Sequence, residues 1–168
     1  MTMIRNARED EAATLAGIGL RAWELAISVW GDPEDMRASA ENAFLTFAST
    51  HWLAIDVAEK AGQAIGWAAR EKLDNTITDL WVDPVFHRLG TGSMLLATLE
   101  DEIRGLGYDE AIIETHGDNA IALTFLGKRG YAIRSFTTTW SAKLDRDVEI
   151  VVMVKTFESD SPGHYGPS

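Results

Sequence analysis

Apolar and polar positions change period several times along the chain, and each change marks an element. Met3 to Arg8 is a short mixed run that fits an edge strand. Ala12, Leu15, Ile18, Ala22, Leu25 and Ala26 then recur at helical spacing to about Val29, with Glu9 or Asp10 placed to cap the helix. Gly31-Asp32-Pro33 breaks that run, and Pro33 suits the first turn of a second helix with Met36, Ala40, Ala43, Phe44 and Phe47 on one side. From Trp52 the period becomes two. Trp52–Ala58, Gln63–Ala69 and Thr76–Val82 read as a meander with turns at Lys60–Gly62 and Asp74-Asn75. A helix follows from Gly92 to Gly105, where Met94, Leu95, Leu99 and Ile103 oppose Glu100, Asp101 and Arg104. Ala111–Thr115 is a further strand and a helix begins near Asn119. Tyr131–Trp140 and Val148–Lys155 close the series, the last apolar enough for the interior of a sheet.

The resulting order, β-α-α-β-β-β-α-β-α-β-β, predicts one α/β (α+β) domain over residues 1–158. A chain of 168 residues, 46% hydrophobic, suits one well-packed domain. Residues 159–168, with two Pro and two Gly, read as a flexible tail or as an arm docking on a neighbouring subunit of a homodimer. No apolar run reaches the ~20 residues of a membrane span, and the N-terminus lacks the basic-then-apolar layout of a signal peptide. A soluble cytoplasmic protein is expected. Cysteine is absent, which removes disulfides and thiolate chemistry, and His51, His87, His116 and His164 show no metal-ligand spacing, so no metal is expected. The net charge of −11 opposes nucleic acid and anionic membrane as partners. It either steers cationic amines or serves solubility alone.

The richest stretch is Leu80-Trp81-Val82-Asp83-Pro84-Val85-Phe86-His87-Arg88-Leu89-Gly90-Thr91-Gly92-Ser93, a strand leading through a Pro-marked break and a Gly-x-Gly turn into a helix. Such a turn aims several N–H groups and the positive end of the helix dipole at one spot, which favours an anion. It lacks the third glycine of a dinucleotide fingerprint and the Gly-Lys-Ser/Thr of a P-loop.

His87-Arg88-Leu89-Gly90-Thr91-Gly92 resembles motif A of the GNAT superfamily of acetyl-CoA-dependent N-acetyltransferases, R/Q-x-x-G-x-G/A. Asn119-Ala120-Ile121-Ala122-Leu123-Thr124-Phe125-Leu126 with Gly130-Tyr131 resembles its motif B. The element order matches that family's layout over nearly the whole chain, which implies a mixed central sheet of about seven strands flanked by four helices. The resemblance implies transfer of acetyl from acetyl-CoA to a small-molecule or peptide amine by direct attack in a ternary complex. It further implies that backbone groups of Arg88, Leu89, Gly90, Thr91, Gly92 and Ser93 hold the CoA pyrophosphate and that Leu80, Trp81 and Val82 pair with the pantetheine arm, with Asn119 and Phe125 joining the cofactor site. His87 stands where many members carry Arg or Gln; it either faces the phosphates or points to solvent.

An alkylammonium with a pKa near ~10.4 has no lone pair and must lose a proton before it can attack. Where some members carry an acid the chain has Thr76, so the expected base is Asp79, then Glu114, then His116. Leu126 occupies the place of the family's thiolate-protonating Tyr; Tyr131, Ser135 or water are the substitutes, unless Tyr131 simply fills the core position where the family prefers Phe. Trp23 and Trp30 are expected to form either an aromatic wall over the acceptor or part of the core. The rival readings are a silent acyl-CoA-binding or interaction module and a nucleotide-binding protein.

Overall fold

The structure, a computed structural model, describes residues 1–27, 34–117, 119–141 and 146–158. Its elements are β1 (Thr2–Asn6), α1 (Ala12–Ile27), α2 (Glu34–Thr50), β2 (Ile55–Lys60), β3 (Gln63–Ala69), β4 (Thr76–Ile77), β5 (Asp79–Val82), α3 (Thr91–Gly105), β6 (Glu110–His116), α4 (Ala120–Lys128), β7 (Ala132–Ser141) and β8 (Arg146–Thr156). Val29, Trp30, the Gly31-Asp32-Pro33 break and the 159–168 tail lie outside the described residues.

The carboxylate that caps the approach to α1 is Glu11, which accepts the Arg8 N–H at 2.8 Å, rather than Glu9 or Asp10. Arg5 fixes it there, giving two hydrogen bonds to Glu11 and a third to Glu59 of β2.

The strands form two four-stranded sheets, β1-β2-β3-β5 and β4-β6-β8-β7. Every pairing is antiparallel except that of β4 with β6. β4 and β5 belong to one extended run, so the sheets share a strand. The sequence reads Thr76–Val82 as unbroken; the structure divides it at Thr78. Thr78 N–H donates to the Ala69 carbonyl at 2.9 Å and Thr78 Oγ1 reaches the same oxygen at 3.2 Å, while Asp79 is Ala69's register partner. Two residues thus oppose one, a bulge, and the strand changes direction there.

Each face of this sheet pair buries its own core. On one face Ile55, Val57, Trp67 and Ala69 meet Leu15, Ile18 and Trp23 of α1 and Phe44 of α2. On the other, Ala58, Ile65, Ala68, Ile77, Ala111 and Ile113 meet Leu95, Leu96, Leu99 and Ile103 of α3 and Leu126 of α4. Gly19 sets the separation of α1 and α2, since a Cβ there would come within 2.7 Å of the Phe44 ring. β8 lies between β6 and β7 with Ile150, Val151, Met153 and Val154 buried, as its apolar run predicts.

Under α3, Asp56 and Arg70 are buried, at 7% and 6% exposure, and Arg70 donates to Glu102 Oε1 at 3.1 Å and to the Asp74 carbonyl at 2.7 Å. Burial first, and the adjoining Glu102 carboxylate second, push the Asp56 carboxyl up to about 8, with Arg70 pulling the other way. Because the folded value exceeds the unfolded one, the stabilising contribution of protonated Asp56 is complete below about pH 4 and is lost as pH rises towards 8. Asp56→Asn, which keeps a donor for Glu102 without the charge, should be more stable than wild type by about 1–3 kcal/mol at pH 8 and near parity at pH 4. Denaturant unfolding at the two pH values measures this, and a difference independent of pH would contradict it.

Candidate active site

Beyond the bulge the shared strand opens a wedge. Thr76 and Ile77 pair with Ile112 and Ile113, after which β5 turns to β3 and β6 continues along β8 to His116↔Ile150. One edge of β5 is therefore unpaired among the described residues. Asp83 N–H donates to the Ile65 carbonyl on the β3 side at 2.9 Å. By antiparallel alternation the N–H and C=O of Trp81 also turn to β3, while those of Leu80 and Val82 turn to the wedge. One of these, the Val82 carbonyl, meets His87 Nε2 at 3.1 Å, so His87 is exposed but folded back onto the strand.

Side chains alternate as well. Leu80 and Val82 pack with the α3–α4 core, whereas the Trp81 ring meets Phe44 edge-on at 5.2 Å, on the α1–α2 face. Asp79 shares that face and accepts the Trp81 indole N–H at 3.0 Å. On β6, Ala111 and Ile113 point into the α3–α4 core, which leaves Glu114, exposed, and His116, half-buried, on the opposite face. The three candidate bases thus occupy one face, Asp79 on one wall of the wedge and the other two on the facing wall.

The turn after β5 is held from below. Asp83, 5% exposed, accepts the Val85 N–H at 3.2 Å and Arg21 Nη2 of α1 at 2.8 Å. Burial pushes its carboxyl up, but Arg21, the Val85 N–H and the charge of His87 together hold it below the usual range. Arg88 and Gly90 both take left-handed backbone, at φ 68° and 78°, and Gly90 caps α3 with no side chain in the way. The first intrahelical bond runs from Met94 N–H to the Gly90 carbonyl, so the N–H groups of Thr91, Gly92 and Ser93 precede the helical ladder and point out of its N-terminus. Thr91 is 2% exposed and its buried hydroxyl has no hydrogen-bond partner among the described residues; Leu89 is half exposed.

The two glycines serve different ends. Nothing lies within 4 Å of a Cβ built on Gly90, whereas one on Gly92 would stand 3.3 Å from the Phe125 ring and 3.7 Å from Val82 Cγ2. Gly92 lets α4 close on α3. Phe125 is sandwiched there, with the Arg129 guanidinium 3.8 Å over its ring. Arg129 donates to Ser93 Oγ at 2.8 Å and to the Phe125 carbonyl at 3.0 Å. No local sequence signal marks Arg129, because only tertiary contact brings the end of α4 to the first turn of α3. Lys128 and Arg129 also border a cleft of about 510 Å³ along α4. Asn119 acts as the α4 cap, its side chain accepting Ala122 N–H at 3.1 Å.

Three of the residues singled out in the sequence lie in the core. Trp23, 1% exposed, takes the core alternative of the two open to it; Trp30 lies outside the described residues. Leu126 is 2% exposed within the α3–α4 core, not an open position awaiting a hydroxyl. Tyr131 is also buried and donates to Glu100 Oε2 at 2.8 Å; burial, then Glu100, raise its pKa far above the ordinary tyrosine range. Its proton is committed to Glu100. No group of three or more His, Cys, Asp or Glu side chains placed for a metal ion occurs among the described residues.

The family model for the acetyltransferase (GNAT) family matches residues 18–131, more than half of the chain, and the chain belongs to that family. Solved structures agree in fold. A GCN5-related N-acetyltransferase from Rhodopseudomonas palustris superposes with a TM-score of 0.78 at 20% identity, covering 94% of this chain and 96% of that one. The PaiA N-acetyltransferase of Thermoplasma acidophilum, solved with coenzyme A, gives 0.73 at 16% identity, covering 94% and 99%. YncA of Salmonella typhimurium, a putative acetyltransferase solved with acetyl-CoA, gives 0.65 at 19% identity, covering 96% of each chain. No curated protein matches by sequence. No helix among the described residues is long and apolar enough to cross a membrane.

Two substitutions test this geometry. Arg21→Met leaves the Asp83 carboxylate buried without its counter-charge and should cost about 1–3 kcal/mol at pH 7. Asp83's lowered pKa makes its contribution complete above the unfolded value of about 4, so the deficit should shrink only as pH falls below that, through the lowered value at which wild-type Asp83 protonates. Leu126→Tyr adds a hydroxyl and ring volume to a filled site. It should lower the melting temperature, with a cost of about 1–3 kcal/mol; a variant as stable as wild type would show room beside position 126.

Proposed function

We propose that the protein is an acetyl-CoA-dependent N-acetyltransferase acting on a primary amine by direct transfer. The observation that carries this reading is the continuity of the unpaired β5 edge with the N-terminus of α3. An extended amide chain can add to Leu80 and Val82 as a strand would, and its phosphates then arrive at the N–H groups of Thr91, Gly92 and Ser93. Pantetheine joined to a pyrophosphate has that form, and PaiA and YncA were solved with such ligands. Arg88, Lys128 and Arg129 supply cations around the same turn in a chain of net charge −11.

In the wedge the amine nitrogen attacks the thioester carbonyl carbon. The C–N bond forms and the C–S bond breaks, the sulfur leaves with the electron pair, and the nitrogen's surplus proton passes to a carboxylate or to a water it orders. Asp79, oriented by the Trp81 indole, is our first choice for that base, with Glu114 and His116 behind it on the facing wall. A thiol of pKa near ~8.5 can leave as its anion, so the absence of a Tyr at position 126 is compatible with turnover. A second reading, a silent acyl-CoA binder, draws on that same buried Leu126 and on the commitment of Tyr131 to Glu100.

Gly90 has open space around it, and Asn and Asp both tolerate its left-handed backbone. Gly90→Asp should therefore bind CoA at least about tenfold more weakly than Gly90→Asn, the difference being one negative charge at the phosphates. Equal affinities by calorimetry would remove the anion seat from this turn. In a CoA-release assay over an amine panel, activity should rise with pH, and Asp79→Asn should lower kcat by about 10²-fold while CoA affinity holds. Tight CoA binding with no release for any amine would select the silent binder.

A further inference from the structure

A second cleft, of about 560 Å³, runs along α2 and is closed on its far side by Trp140 of β7. Its α2 wall is one stripe, residues 39 to 50 at three- and four-residue spacing. Asn42, Thr46 and Thr50 line it with exposed amide and hydroxyl groups, and Phe47 and His51 form its aromatic base. The Phe47 ring stacks on His51 at 5.0 Å and 14°, and on buried Trp67 at 6.0 Å and 19°. Trp140 is 59% exposed. His51 Nδ1 is buried with no hydrogen-bond partner among the described residues.

The cleft lies on the acceptor side of the sheet. Phe44, one helical turn before Phe47, sits against Trp81, and Asp79 is hydrogen-bonded to that same ring. Among the described residues its lining contains no Asp, Glu, Lys or Arg. A polyamine or a lysine-rich peptide would leave its remaining cations there unanswered by the described wall. The net charge of −11 acts at long range on any cation and so raises amine concentration without choosing among amines. Choice falls to the wall, which offers an indole face for stacking, polar groups for substituents and a volume in the small-ligand range.

From this we infer that the acceptor is a small primary amine carrying an aromatic ring, with the ring between Trp140 and the Phe47–His51 stack and the amine directed to the wedge. This rests on the acetyl-transfer reading above, and the test keeps the two apart. The full-length protein is titrated calorimetrically with CoA, with 2-phenylethylamine and with spermidine, and CoA release from acetyl-CoA is then followed with each amine. 2-Phenylethylamine should bind and should exceed spermidine in kcat/KM by about tenfold or more. Trp140→Ala should raise the KM for 2-phenylethylamine by about tenfold with a smaller change in kcat, Trp140→Phe should recover most of the loss, and CoA affinity should be untouched in both. Thr46→Glu, which places a carboxylate in the cleft, should move the preference towards spermidine. Preference for spermidine in wild type, or a KM ratio indifferent to Trp140, overturns the inference while leaving acetyl transfer standing. If CoA fails to bind, acetyl transfer falls, and the calorimetric titration of 2-phenylethylamine against wild type and Trp140→Ala still decides the cleft.

Discussion

Thr78 and Asp79 both facing Ala69 is the constraint on which the site depends. Without the bulge, the run from Thr76 to Val82 would stay paired with β6 along its length and both edges of β5 would be consumed. With it, the run pairs with β6 for two residues and with β3 for four, and the released edge becomes a binding surface of backbone groups. The same break turns Asp79 and Trp81 to the α1–α2 face and Leu80 and Val82 to the α3–α4 face. One local irregularity therefore separates the α1–α2 face from the α3–α4 face along β5 and opens the wedge between β5 and β6.

The turn following β5 inherits its position from burial rather than from its own residues. Asp83 is anchored to α1 by Arg21 and caps the chain as it bends, while Gly92 and Phe125 lock α3 to α4. Backbone donors at a helix start are effective toward an anion only if the helix is held still, and these contacts hold it from both sides. The positive groups, Arg88, Lys128 and Arg129, come from two elements distant in sequence. In a strongly acidic chain such local concentration of cations needs a fold to assemble it.

Most of the fold was legible from periodicity. The helices and the strands from Gln63 to Ala69 and from Glu110 to His116 follow apolar spacing closely, because each has one face toward a core and the other toward a different environment. The Gly-x-Gly turn was legible as a helix start with outward-pointing N–H groups because that geometry is carried by backbone and spacing. Less legible was the role of each glycine. Gly90 accommodates a positive φ, whereas Gly92 leaves room for a phenylalanine more than thirty residues away.

By itself, then, the sequence determined the main elements, the Gly-x-Gly turn at a helix start and the family, since all of these are encoded in local period, turn chemistry and short motifs. Tertiary structure alone decided which side chains are free to act. Trp23 and Leu126 match an active-site pattern by type or by motif position, yet packing places both in the core, where neither can meet a substrate. Arg129 and Trp140 carry no such signature, and contacts between distant elements bring one to the α3 turn and the other to a cleft. Burial depends on what the rest of the chain lays over a residue, and no local pattern records that.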